Sequence, residues 1–229
     1  MFLAARCALI WAKAFAGAGT SVEEGYSIVT DSSGNVYSTG GYIDSVDFDP
    51  GAGVSLHTSL GGNDIFLHKM DSAGNLSWVN SYGGLSEDYA YDLDVLPQGR
   101  CMLAGGFTDS IILDTSGTFV VGAGNEDALV MRIEKNGNLG WWNSFGGPGY
   151  DVAKSLFIGR DSTHNPHIAG EFSGTANLAG KNDNPRFFTS NGDIDVFLIG
   201  MYTDGTFFAN SVINSATLGG PGEDGVSDI

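Results

Sequence analysis

The chain has 229 residues and a formal net charge of −17 at pH 7, from 27 acidic and 10 basic residues. This charge argues against a nucleic-acid-binding protein, which requires a basic surface. Hydrophobic residues make up 42% of the chain, so it can bury a core, and no apolar run is long enough for a membrane-spanning helix.

The first segment, residues 1–22, is apolar and rich in alanine. Trp11 and Phe15 in this segment have the Trp-x-x-x-aromatic spacing that recurs at 78–82 and 141–145. A basic residue also interrupts the apolar run. We therefore expect the segment to be the end of a preceding repeat rather than a targeting peptide.

The residues that follow divide into repeats, and the second repeat shows the predicted strands most clearly. Its Asn-Gly turn between the last two strands is a strong hairpin signal. The predicted strands are 90–96, 100–107, 127–134 and 139–145, joined by a turn at 97–99, a longer excursion at 108–126 and a turn at 135–138.

Three landmarks recur with a period of about 65 residues. A Trp after an Asp-x-x-Gly-Asn-like turn, replaced by Ala in the third repeat, and an aspartate before the third strand share offsets of 63 and 68 residues, and a glycine at the end of the second strand recurs at offsets of 65 and 65. The positions are Trp11, Trp78, Trp141 and Ala209; Asp64, Asp127 and Asp195; and Gly40, Gly105 and Gly170. A fixed period of this size indicates a solenoid, a propeller or an array.

Four antiparallel strands that are apolar on both faces can bury those faces by stacking radially, so we expect an all-β β-propeller of four-stranded antiparallel blades. Residues 26–31, 90–96 and 153–158 should be the innermost strands. The expected divisions are 1–22, a partial blade; 23–87, 88–150 and 151–222, three whole blades; and 223–229, the start of the next. Because propellers have four to eight blades, we expect an incomplete propeller cut from a longer protein.

Several phrases resemble the SBBP family of bacterial β-propeller repeats. The first repeat carries GYSIVTDSSGNVYSTG at 25–40, VDFDPGAG at 46–53 and GGNDIFLHKMDSAGN at 61–75. The third repeat departs most, because GRDSTHNPHIAG at 159–170 lengthens its first turn. The resemblance implies a secreted or surface-attached bacterial protein, and it implies no catalytic residues.

Two sets of acids are the candidate metal ligands. One set, together with Glu23, precedes the first strands, and the other precedes the third strands; both should lie at one end of the sheets. The candidates are Asp64, Asp88, Asp127, Asp151, Asp195 and Asp224. Such carboxylates are the ligands that Ca²⁺ prefers, but aspartates that recur in every repeat more often accept hydrogen bonds in their own turns.

Other reactive side chains give weaker signals. Cys7 and Cys101 lack metal-ligand spacing, and we expect Cys101 to be a buried free thiol. The four histidines do not recur; His68 should be packed in a strand, and a zinc site at 164–167 would need further ligands. The equivalent aromatic residues Tyr42, Phe107 and Phe172 suit either sugar stacking or packing, and we favour packing.

The sequence therefore predicts a noncatalytic extracellular scaffold for binding or adhesion, with no cofactor and an unidentified protein or glycan ligand. Two alternatives stay open: an accessory propeller of a glycan- or polymer-degrading enzyme, and a structural array stabilised by Ca²⁺.

Overall fold

The computed structural model describes residues 10–17, 22–180, 184–212 and 221–226, which are almost entirely β-strands and turns. The strands are β1 (Ala16–Gly17), β2 (Glu23–Thr30), β3 (Val36–Tyr42), β4 (Ser45–Asp47), β5 (Leu56–Thr58), β6 (Asp64–Met70), β7 (Leu76–Tyr82), β8 (Asp88–Val95), β9 (Cys101–Phe107), β10 (Ser110–Ile112), β11 (Phe119–Val121), β12 (Asp127–Ile133), β13 (Leu139–Phe145), β14 (Asp151–Ile158), β15 (Pro166–Phe172), β16 (Thr175–Asn177), β17 (Phe187–Thr189), β18 (Asp195–Met201) and β19 (Phe207–Val212). A 3₁₀ turn spans Pro97–Gly99. Within these ranges, no helix has the length and apolar character needed to cross a membrane.

Twelve of the strands form three four-stranded antiparallel sheets in chain order. Sheet I is β2-β3-β6-β7, sheet II is β8-β9-β12-β13 and sheet III is β14-β15-β18-β19. A short hairpin, β4–β5, β10–β11 or β16–β17, is inserted after the second strand of each sheet, and β1 pairs with β4. The prediction of an all-β protein with antiparallel sheets is confirmed.

The first strand of each sheet is an edge strand, and β8 contacts both β2 and β14. The three sheets therefore stand side by side along these edges. We call the end at which the first strands begin the upper end. The opposite end, where the turns between first and second strands lie, is the lower end.

Sheet II is apolar on both faces because it packs between two other sheets. Successive side chains along its strands point alternately towards sheet I and towards sheet III. Leu103 and Met131 pack towards sheet I, whereas the adjacent Met102 and Val130 pack towards sheet III. All four side chains are fully buried. Burial of each such side chain contributes about 1.5–3 kcal/mol, so stacking of the sheets supplies much of the core.

The glycines spaced 65 residues apart have a common structural cause. The first two strands of every sheet shift register at a bulge, after Gly25 in β2 and after Ala90 in β8, and the landmark glycine pairs with the residue before the bulge. At Gly105, a Cβ atom would overlap the carbonyl oxygen of Tyr89. Gly40 and Gly170 have the same obstruction from the first strand, so the bulge requires glycine at each position.

The recurring tryptophans fasten each sheet to the next. Trp78 Nε1 donates a hydrogen bond to the Lys135 carbonyl at 3.1 Å, and Asn80 Nδ2 donates to the Gly137 carbonyl at 2.6 Å. Gly137 has φ +89°, and a Cβ on it would lie 3.2 Å from the Trp78 ring. We call this arrangement the tryptophan latch.

The latch repeats at the neighbouring seams. Trp141 Nε1 donates to the Thr203 carbonyl at 3.0 Å, and Asn143 Nδ2 donates to the Gly205 carbonyl at 2.6 Å. Before sheet I, Trp11 Nε1 donates to the Ser72 carbonyl at 3.1 Å. The hairpin turn between the third and fourth strands therefore receives the tryptophan of the preceding unit.

Candidate functional site

The candidate acids lie at the upper end, in the turns that join one sheet to the next. Asp88 Oδ2 accepts a hydrogen bond from the Gly84 amide at 2.8 Å, and Asp151 Oδ2 accepts one from the Gly147 amide at 2.7 Å. In both cases the donor lies four residues earlier. Each of these aspartates therefore closes the turn that leads into its own strand.

The aspartates that begin the third strands close a turn in the same way. Their Oδ2 atoms accept from an amide four residues earlier: Leu60 to Asp64 at 3.1 Å, Ala123 to Asp127 at 2.7 Å and Asn191 to Asp195 at 2.8 Å. Turn closure thus accounts for one oxygen of each of the five aspartates.

The last candidate, Asp224, repeats the backbone geometry of the junction. Its amide donates to the Ile194 carbonyl at 3.0 Å, as the Asp88 amide donates to Asn63 at 2.8 Å and the Asp151 amide to Glu126 at 2.9 Å. Residues 221–226 are therefore joined to sheet III as the starts of sheets II and III are joined to sheets I and II.

These carboxyl groups are buried rather than displayed on the surface. Asp64, Asp88, Asp127, Asp151 and Asp195 are at most 3% exposed, and the Oδ1 atoms of all but Asp127 lack a hydrogen-bond partner in the described structure. The expectation that both sets lie at one end is met, but they lie inside the junctions. A buried carboxylate oxygen without a partner carries a large desolvation cost.

The burial changes the acidity of the groups. Burial, with a smaller contribution from the nearby charge of Asp64, raises the pKa of Asp88 to about 8. Burial likewise raises the pKa of Asp151 to about 7, with a contribution from Asp127, and that of Asp64 to about 7. The junction between sheets I and II and the junction between sheets II and III therefore each hold a pair of aspartates whose pKa values burial raises.

Metal binding requires more ligands than these pairs provide. Ca²⁺ takes six to eight oxygen ligands. Within the described part of the chain, no group of three or more His, Cys, Asp or Glu side chains is arranged to hold a metal ion. A cation at a junction would depend on the unpartnered Oδ1 atoms together with backbone carbonyls or water.

The histidines occupy unrelated environments. His68 is fully buried, its Nε2 lies 3.1 Å from the Phe48 carbonyl oxygen, and burial lowers its pKa to about 4. The expectation of a packed His68 is confirmed. His57 Nδ1 lies 2.7 Å from Ser81 Oγ, and His164 and His167 fall in the β14–β15 turn and in β15.

Two further expectations about packing are confirmed. Cys101 is a buried free thiol, whose pKa burial raises to about 12; Cys7 lies outside the described residues. Tyr42, Phe107 and Phe172 are at most 1% exposed, so they pack inside the protein and offer no surface for stacking a sugar.

The sequence reasoning missed an aromatic cluster along the adjoining first strands. Tyr89 and Tyr91 are stacked at 5.8 Å, Tyr26 lies 5.6 Å from Tyr91, and Lys154 Nζ lies 3.9 Å from the centre of the Tyr91 ring. Tyr26 and Tyr89 donate hydrogen bonds to the glutamates two residues earlier. The Glu-x-Tyr pattern, which occurs at 24–26 and 87–89, was the sequence feature that could have predicted this cluster.

Comparison with known proteins supports a repeat architecture. Residues 10–48 match the model of the SBBP family, described as a beta-propeller repeat. An uncharacterized WD repeat-containing protein of Acanthamoeba polyphaga mimivirus is 24% identical over 192 residues. That alignment covers 73% of the chain but only 14% of the viral protein.

Proposed function

We propose that the chain is a noncatalytic β-propeller scaffold that binds a protein or glycan ligand outside a bacterial cell. Sheets I to III would be consecutive blades, with β2, β8 and β14 along the channel. The observation that carries the proposal is that the recurring side chains serve the scaffold: they close turns, permit bulges or latch one sheet to the next. Variable turns at the two ends remain available for ligands.

Two comparisons support the propeller arrangement. The SBBP repeat matches a stretch that runs from Trp11 through the first two strands of sheet I, and the viral relative carries WD repeats in its name. WD repeats are a propeller-forming class with four strands in each blade. Secretion or surface attachment follows from the family resemblance alone. Antibody labelling of intact against lysed cells of the producing organism tests it.

The noncatalytic assignment is tested with the purified full chain on panels of polysaccharides and peptide polymers. We expect retention of one ligand class on an array, without release of reducing ends or new amines above a heat-denatured control. Hydrolytic activity that co-purifies with the folded protein would contradict the noncatalytic assignment and favour a degrading enzyme. Retention only when a catalytic partner is present would favour the accessory alternative.

One observation favours a Ca²⁺-stabilised array as the second candidate. Asp64, Asp88, Asp151 and Asp195 each have a buried oxygen without a hydrogen-bond partner among the described residues. Thermal melting with Ca²⁺ and with a chelator separates the two proposals. We expect the melting temperature to change little, whereas a rise of several degrees in Ca²⁺ that Asp88→Asn abolishes would establish the array.

A further inference from the structure

The lower end contains a cavity of about 320 Å³ at which all three sheets meet. Its walls come from the β2–β3 turn of sheet I, the β8–β9 turn of sheet II and the β14–β15 turn of sheet III. The β12–β13 turn adds Lys135, and the third sheet adds Arg160 and His164. The volume lies at the lower limit of small-molecule sites and suits a ligand about the size of a monosaccharide.

Positive charge concentrates at this cavity in an otherwise acidic protein. Of the eight Lys and Arg residues that the structure describes, four lie in or beside it. Lys135 and Arg160 line the cavity, Arg100 Nη2 bonds to the lining residue Gln98 at 3.0 Å, and Lys69 interacts electrostatically with Asp31 and Lys135. Lys69 is only 5% exposed, so Arg100, Lys135 and Arg160 supply the positive charge at the surface of this acidic protein.

The acids at the cavity are engaged in internal hydrogen bonds. Asp31 accepts from the Asn35 amide at 3.0 Å and from Asn35 Nδ2 at 2.7 Å, among other donors. Asp94 accepts from the Ile158 amide at 3.0 Å and contacts Arg160 Nη2 at 3.2 Å. The Arg160 side chain is nevertheless 67% exposed, and only its Nη2 contacts Asp94. Much of the guanidinium group therefore faces outward.

Backbone strain also marks this cavity. Four non-glycine residues in the described structure have positive φ, and two of them, Gln98 at 71° and His164 at 51°, line it. The Asp161 carboxylate accepts the His164 amide at 3.1 Å, which holds that turn in place. Such conformations cost free energy and cluster at functional sites.

We propose that this lower-end cavity binds the oxyanion of a monosaccharide-sized ligand, a carboxylate or a phosphate, through Arg160 and Lys135. The planar guanidinium fork matches either oxyanion, and Lys135 adds a point charge. His164 supplies a further polar wall. The inference rests on the proposed binding function and narrows it to one ligand chemistry and one place.

The test is a titration of the full chain followed by amide chemical shifts in NMR, at constant ionic strength. The probes are inorganic phosphate, glucuronate and, as the uncharged match, glucose. We expect saturable shifts at residues 31–35, 97–99 and 160–164 with phosphate or glucuronate and none with glucose. The relative affinities of phosphate and glucuronate show whether the site prefers a phosphate or a carboxylate.

Matched variants assign the contacts. Arg160→Gln and Lys135→Gln should each weaken binding about tenfold, the usual effect of losing a charge-assisted hydrogen bond. Lys154→Gln removes the same charge near the upper end and should leave affinity unchanged. Lys135→Gln keeps the backbone carbonyl used by the Trp78 latch, so it should fold even if Arg160→Gln does not.

Three results would overturn the inference. They are no saturable shift with either anion, shifts with glucose as large as those with the anions, or anion affinities of Arg160→Gln and Lys135→Gln equal to that of the unmodified chain. The proposed scaffold function would survive each of them if the unmodified chain still bound a ligand on the array. Loss of array binding together with intact anion binding would instead refute the scaffold function alone.

Discussion

The upper and lower ends of the sheets differ in how their residues recur. At the upper end, Asp88 and Asp151 close equivalent turns and are buried alike. At the lower end, the turns between the first and second strands differ: a compact Asp31 turn, a 3₁₀ turn at Pro97–Gly99 and a longer turn that carries Arg160 and His164. Residues that recur in every sheet therefore belong to the scaffold, whereas turns that differ between sheets form the candidate binding surface.

The largest expected effect is at a recurring glycine. Gly105→Ala places a Cβ against the Tyr89 carbonyl oxygen, a backbone atom that can move only if the bulge is lost. We expect a loss of about 3 kcal/mol in the free energy of unfolding, measured by denaturant titration. Gly25→Ala is the control, because no atom lies within 4 Å of its Cβ position. An equal loss of stability in this variant would show that the overlap with Tyr89 is not the cause of the loss at Gly105.

The tryptophan latch gives the next effect. Trp78→Ala should cost about 3 kcal/mol through lost packing and lost hydrogen bonding. Trp78→Phe keeps an aromatic ring but removes the donor to Lys135, and should cost about 1 kcal/mol. Equal costs for the two variants would show that the hydrogen bond, rather than packing, holds the seam.

The junction acids predict that stability falls as the pH rises. The folded-state pKa values of Asp64, Asp88 and Asp151 are raised to about 7 to 8, so the folded state binds protons more tightly than the unfolded chain. Their stabilisation is complete below about pH 4 and is lost as the pH rises through 7 to 8. Melting temperature measured from pH 6 to pH 9 should show this decline, because the turn aspartates with lowered pKa values, such as Asp31 and Asp114, stay ionised over that range.

Asp88→Asn provides the control, because an amide stays neutral and can still accept the Gly84 amide. The variant should be more stable than the parent chain at pH 8 and should lose part of the decline. If the melting temperature of the variant fell with pH as steeply as that of the parent chain, the decline would be due to the overall charge of −17 instead.

The smallest effect is expected at Arg160, in the turn between β14 and β15. Arg160→Gln removes an ion pair whose arginine is 67% exposed, so it should change the free energy of unfolding by less than about 1 kcal/mol. Chemical denaturation measures this. A loss as large as that of Gly105→Ala would place Arg160 in the scaffold and remove the distinction between the ends.

The fold was largely predictable because its repeats impose the same constraints several times. Spacing alone located Gly40, Gly105 and Gly170, although the bulge that requires them becomes visible only when strand pairing is known. The antiparallel strands and the packed His68 and Cys101 also followed from local pattern.

The sites were less predictable. An aspartate at the start of a strand has the same sequence signal whether it is exposed or buried, so the burial of Asp88 depends on how two sheets meet. The lower-end cavity combines residues more than 100 positions apart, Asp31 with Lys135 and Arg160. The lengthened turn at 159–170 was visible in the sequence, but its place beside the other two turns was not.

An alanine scan of stability over the full chain tests whether the recurring residues, rather than the turns between first and second strands, hold the fold together. Every described residue other than alanine is replaced by alanine, and resistance to proteolysis is measured for each variant. We expect matched losses at equivalent positions, Trp78 with Trp141, Gly105 with Gly170 and Asp88 with Asp151, and small changes at Ser33, Gln98 and Arg160. Losses that do not recur between sheets, or that concentrate in the turns between the first and second strands, would contradict this expectation.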